Sequence, residues 1–130
     1  MNESTDATVG VNQLNHVAIH VQDVARAAAF YQHTLGLTPL PRPAFDFPGA
    51  WFALGPDQEL HLIGDRDRPV HSQQRGTHFA LRITDAQHAA AVLRDHQVDM
   101  VGPKPRPDGA TQIFITDPDG HVIELCELPE

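Results

Sequence analysis

The sequence predicts an α+β domain made of two tandem βαβββ modules, and three observations carry that reading. The first is size and balance. The chain has 130 residues, a net charge of −8, and 41% hydrophobic against 20% charged residues, which describes one globular domain and not a disordered chain. The second is an internal repeat. Residues 15–36 laid over 77–98 pair His16 with His78, Ala18 with Ala80, Asp23 with Asp85, and Ala27, Ala28 and Ala29 with Ala89, Ala90 and Ala91. Further on, Pro56-Asp57 falls on Pro118-Asp119. With one residue inserted at Gly120, Leu60-His61-Leu62 falls on Ile123-Glu124-Leu125. Self-similarity of this kind marks a duplicated unit. The third is the hydrophobic period, which passes in each copy from two to about 3.6 and back to two.

Taken in order, residues 1–12 are polar and acidic and read as a disordered tail, without the basic and apolar blocks of a secretory signal. Residues 13–128 form the domain, with module one at 13–64 and module two at 76–127. Module one opens with the alternating run LNHVAIHV (14–21), and module two with THFALRI (77–83). Asp23, and Asp85 or Thr84, are placed to cap the helices that follow. Val24, Ala27, Ala28, Tyr31 and Leu35 recur at helical spacing, as do Ala86, Ala89, Ala90 and Leu93. Gly36 suits the first helix's C-terminal stop. Three short strands then follow in each copy, near 37–40, 50–54 and 59–63, and near 100–101, 110–116 and 122–126. Proline-rich loops at 39–49 and 102–109 separate them, and a Pro-Asp-Gly turn (118–120) leads into the last strand.

The acidic balance speaks against a nucleic-acid backbone or an anionic membrane as partner. Cys126 is the single cysteine, so no internal disulfide forms. No apolar run approaches the roughly 20 residues of a membrane helix. A cytoplasmic location is the resulting expectation.

Strand parity decides which side chains share a face, because successive residues point to opposite sides. Val17, Ile19 and Val21, then Phe79, Leu81 and Ile83, are the apolar sets that pack on the helices. His16, Ala18 and His20, and His78, Ala80 and Arg82, point the other way. In the last strands Leu60 and Leu62, and Ile123 and Leu125, go to the core. Glu59, His61 and Ile63, and Val122, Glu124 and Cys126, face away. Four matching strands thus present His16, His61, His78 and Glu124 on the non-helical face. A lone strand histidine is ordinarily a surface or core residue. Three imidazoles and a carboxylate at matched positions are a ligand set for one divalent metal: Ni, Co, Zn, Mn or Fe. Glu124 in particular lies among apolar neighbours and needs a partner. His20 and Arg82 are candidates for an anionic substrate group. Phe45, Phe47 and Trp51 cluster around Pro48-Gly49, so Trp51 either packs in the core or walls a substrate pocket. Lys104 and Arg106 read as exposed charges. Cys126 reads as an inert thiol, and His33, His71, His88, His96 and His121 as surface residues.

In LNHVAIHVQDVARAAAFYQHTLGL, QELHLIG, THFALRI and DPDGHVIELCE the chain resembles the vicinal oxygen chelate superfamily, also called the glyoxalase/bleomycin-resistance/extradiol-dioxygenase fold, over about residues 14–127. The resemblance implies curved mixed sheets around a metal site. It places the metal on one residue from each module's first and last strand, which are His16, His61, His78 and Glu124. It also implies a homodimer whose sites take ligands from both chains, and a small substrate whose vicinal oxygens the metal chelates. Lyase and isomerase members use all four positions, with Glu or Gln where this chain has His61. Ring-cleaving dioxygenases and fosfomycin-modifying members use two His and one Glu. Four chelating positions favour proton transfer, with Glu124 as ligand and catalytic base. The glutathione-binding Arg and Asn of glyoxalase I correspond to His20 and Asp65 here, and Asp65 would repel a glutathione carboxylate. The expectation is therefore a metal-dependent lyase or isomerase acting on something like an α-hydroxycarbonyl. An extradiol-type dioxygenase and a metal-free, drug-sequestering protein like those conferring bleomycin resistance are the alternatives.

Overall fold

In the computed structural model, which describes residues 7–130, each module opens with the strand its alternation requires. Module one runs β1 (His16–His20), α1 (Val24–Ala29), β2 (Pro39–Leu40), β3 (Gly49–Leu54) and β4 (Gln58–Ile63). Module two runs β5 (Phe79–Arg82), α2 (Ala86–Asp95), β6 (Val101–Pro105), β7 (Thr111–Thr116) and β8 (Val122–Glu127). The topology is the same twice. The sheets are ordered β1-β4-β3-β2 and β5-β8-β7-β6, the first pair of each parallel and the rest antiparallel. The repeated βαβββ expectation is met. Of the expected tail, residues 1–6 lie outside the described residues, and 7–12 form no helix or strand.

Local chemistry explains the element ends. Asp23 Oδ1 accepts the Arg26 N–H at 3.2 Å, and Asp85 Oδ1 accepts the His88 N–H at 3.1 Å, so each helix begins on the aspartate the sequence offers. α1 widens into a π turn over Phe30–Thr34 and stops before Gly36, whose φ of 75° suits a residue without Cβ. Of the residues that parity sends to the core, Ile19, Val21, Leu60, Leu62, Ile123 and Leu125 are buried, and Val17, Phe79, Leu81 and Ile83 are partly buried against them.

The strand limits bring some corrections. β1 starts at His16 and leaves Leu14 exposed, and β5 starts at Phe79, so His78 stands just before its strand. β6 reaches through Val101–Pro105 into the stretch read as a proline-rich loop. It lies at a sheet edge, where a proline's missing N–H costs no ladder bond, and a register shift between Val101 and Lys104 absorbs the irregularity. The outward face of β8 is also less open than alternation implies, for Val122, Glu124 and Cys126 are buried.

Candidate metal centre

Module one supplies a row of stacked rings. β4 runs between β1 and β3, so His61 has Trp51 directly beside it on β3 and His16 on its other side. Trp51 lies flat on His61, with 3.9 Å between ring centroids and 2° between planes. His61 lies on His16 at 4.1 Å and 18°. Glu59 shares the outward face of β4, and its Oε1 sits 2.8 Å from His61 Nε2. His16 Nδ1 is 2.7 Å from Asn15 Oδ1.

Module two supplies the carboxylate. Glu124 is only 6% exposed. Its Oε2 accepts from Arg106 Nη1 at 2.8 Å and from Gln112 Nε2 at 3.2 Å. Its Oε1 faces His78 Nε2 at 3.3 Å, while His78 Nδ1 faces the Gly76 carbonyl at 3.2 Å. The two modules are register-equivalent: His61 lies opposite Ala18 as Glu124 lies opposite Ala80, and Trp51 pairs with His61 as Phe114 pairs with Glu124.

The donor set suits a borderline divalent ion. Each histidine has one ring nitrogen beside an oxygen acceptor, the outer contact that orients a metal-bound imidazole and leaves its other nitrogen available. His78 and Glu124 face one another across a gap typical of neighbouring ligands, since two donors about 2 Å from one ion stand roughly 3 Å apart. The structure thus brings His16 together with His61, and His78 together with Glu124. It does not bring the two pairs together, and among the described residues no group of three or more His, Cys, Asp or Glu side chains converges. The expected closure of both sheets around one site is not seen within one chain.

Other expectations are placed as follows. His20 donates Nε2–H to the Gly64 carbonyl at 3.0 Å and borders a groove of about 400 Å³ that also holds His78 and His121. Arg82 borders a different, apolar groove of about 1050 Å³ between the modules, with Leu37, Leu54, Phe79 and Leu81. Trp51 is half-buried on the outward face, so its ring belongs to the His61 stack and not to the core. Arg106 is not the exposed charge the loop suggested, for it clamps Glu124 and pairs with Asp108 at 2.7 Å. Lys104 lies over the Phe114 ring at 5.5 Å. His121 is not a free surface residue either, since its Nε2 reaches the His20 carbonyl at 2.7 Å. Glu59 and Gln112 are site residues that sequence reasoning missed. The only signal for Glu59 was its shared parity with His61.

A family model described as the Glyoxalase/Bleomycin resistance protein/Dioxygenase superfamily matches residues 13–125. The chain belongs to this superfamily. Among curated glyoxalase-superfamily relatives, a lactoylglutathione lyase of Salmonella typhimurium is 32% identical, over 91% of this chain and 94% of its own length. A metallothiol transferase FosB of Shouchella clausii is 30% identical, over 88% of this chain and 80% of its own. Among solved structures, TnmS3, an antibiotic binding protein from Streptomyces sp. CB03234, superposes with a TM-score of 0.77 at 26% identity. It covers 94% of this chain and all of its own. Glyoxalase-superfamily relatives thus include lyases, a thiol transferase and a binding protein, so the activity must be argued from the side chains.

Proposed function

We propose that the chain is a metal-dependent enzyme of the lyase/isomerase kind, acting on a small substrate with vicinal oxygens such as an α-hydroxycarbonyl. One observation carries the reading. Glu124 is a buried carboxylate with one oxygen held by Arg106 and Gln112 and the other turned to His78. Burying a charge costs stability unless its partners are good, and this one is buried with an oxygen aimed at an imidazole. The ligands are drawn from His16, His61, His78 and Glu124. A second copy of the chain brings the two pairs together as a homodimer.

A divalent ion held there supplies Lewis acidity toward two adjacent substrate oxygens. Glu124 would take the proton from the hydroxyl-bearing carbon through Oε1 and return it to the former carbonyl carbon as the hydroxyl proton passes to the former carbonyl oxygen, while Arg106 and Gln112 keep Oε2 in place. His20, at the groove that also holds His78, is the side chain for an anionic substrate group, Arg82 serves the separate groove between the modules, and Trp51 walls the site beside His61. The lactoylglutathione lyase relative supports proton transfer as the chemistry, while Asp65 and His20 speak against glutathione as the carried group. A second reading, a metal-free antibiotic-binding protein, is favoured by the apolar groove between the modules and by the likeness to TnmS3.

The test is metal analysis of tag-free protein, followed by solvent deuterium exchange into a panel of α-hydroxyketones. The expected result is one ion per site, with Glu124→Gln slowing exchange about a hundredfold or more. Oxygen uptake with catechols instead of exchange would establish the dioxygenase. Failure to take up any of the five ions would sink the enzyme reading and leave the binding protein.

A further inference from the structure

We infer that the groove between the modules is a second ligand site, for a small amphipathic anion whose apolar body lies between β5 and module one and whose charge rests on Arg82. None of His16, His61, His78 or Glu124 lines this groove, so the inference stands apart from the metal-site reading above.

The groove exists because module two leaves open what module one covers. By strand parity Phe79, Leu81 and Ile83 form the core face of β5, as Val17, Ile19 and Val21 do for β1. In module one Ile19 is 7% exposed and Val21 0%. Their counterparts Leu81 and Ile83 are only partly buried, and so is Phe79. These three side chains line the groove from module two, and Leu37 and Leu54 line it from module one. Apolar surface left in water forgoes roughly 25 cal/mol per Å², so a molecule that displaces that water is drawn in. At about 1050 Å³ the recess has room for a drug-sized molecule, since small-ligand sites run to roughly 1,000 Å³.

The charges at the groove choose the ligand. Arg82 is exposed and borders it. Among the described residues its guanidinium makes no ion pair, unlike Arg26, Arg66, Arg68 and Arg106. The acid on the same rim, Asp85, is already committed: its Oδ1 accepts the His88 N–H at the start of α2, where the helix end offsets a negative charge. The guanidinium is thus the uncommitted charge beside the apolar wall. A carboxylate or phosphate head entering there gains two parallel charge-assisted hydrogen bonds, while a cationic head meets a like charge. The chain as a whole carries −8 and repels anions from a distance. Any preference for an anionic head therefore comes from Arg82 itself.

The experiment is isothermal titration calorimetry of the full chain with three probes of one length: decanoate, 1-decanol and decyltrimethylammonium. It reads binding alone and does not depend on the metal site. Decanoate is expected to bind once per chain, at least about tenfold more tightly than decanol, with the cation weakest. Arg82→Gln should lower decanoate affinity to the level of decanol, with unchanged decanol binding showing that the groove is intact. Val92→Trp, which fills the groove from α2, should weaken both. Decanoate binding that survives either substitution lies elsewhere and overturns the inference. A preference for the cation overturns it too. So does the absence of binding by all three probes, the result if a second copy of the chain covers the groove.

Discussion

Arg106 divides one guanidinium between two carboxylates: Nε and Nη2 donate to Asp108 at 2.8 and 2.7 Å, and Nη1 donates to Glu124 at 2.8 Å. Its hydrogen bonds, joined by the Ala110 N–H, hold Asp108 down to about 2 from its ordinary 3.8. A depressed carboxylate stabilises the fold above its unfolded value and loses that contribution as pH falls from 3.8 toward about 2. Arg106→Gln should therefore return Asp108 toward 3.8 in a carboxyl-carbon NMR titration, and an Asp108 already titrating there in the unsubstituted chain would contradict the clamp. This is also where sequence reading of the site ran short. The outward face of His16, His61 and Glu124 was legible because a strand's period of two fixes the side on which each residue lies. Which groups those side chains then bond is not periodic. Glu59 engages His61 through a rotamer that reaches two residues along its strand. Arg106 lies just past an irregular edge strand whose prolines imitate a loop, so nothing in the alternation aims it at Glu124.

The same divide runs through the elements. Each helix start was legible because an aspartate side chain must satisfy an orphan N–H there. Asp85→Ala leaves the His88 N–H without its partner, and a loss of about 1 kcal/mol is expected in urea unfolding, with Asp85→Asn restoring most of it. No change in Asp85→Ala would show that tertiary packing alone fixes the start of α2. β3, β4, β7 and β8 came out nearly as expected because their inward residues are continuous apolar sets. β6 did not. A strand paired on one side only needs fewer backbone donors, so Pro103 and Pro105 are tolerated where a central strand would exclude them. The π turn after α1 was likewise unreadable. Its Leu35 N–H bonds the Phe30 carbonyl, five residues back, while Tyr31 stays buried at a spacing an α-helix pattern also allows.

At the scale of the molecule, the modules meet at a polar seam centred on the turn before β8. Asp117 accepts the Tyr31 hydroxyl at 2.6 Å, and Asp119 accepts the Gln22 N–H at 2.7 Å and Arg66 Nη2 at 3.0 Å. That turn leads directly into the strand carrying Glu124, so the seam sets how module two's carboxylate stands relative to module one's rings. Tyr31 is fully buried and is the only tyrosine in the chain. Burial first, then the neighbouring Asp117 charge, raises its pKa far above the ordinary 10.0. Its phenol therefore stays protonated in the folded state. A raised pKa contributes stability that is fully present below the unfolded value of 10.0 and is lost as pH climbs above it, where the unfolded chain alone gives up its proton. Tyr31→Phe strands a buried carboxylate oxygen and should cost about 2 kcal/mol at neutral pH. That difference should shrink above about pH 10, because the substituted chain has no phenol to ionise. Native protein should also show no phenolate absorbance at about pH 11, while denatured protein shows it fully. A phenol that titrates in the native state near 10 would mean that the seam is open to solvent and does not fix β8.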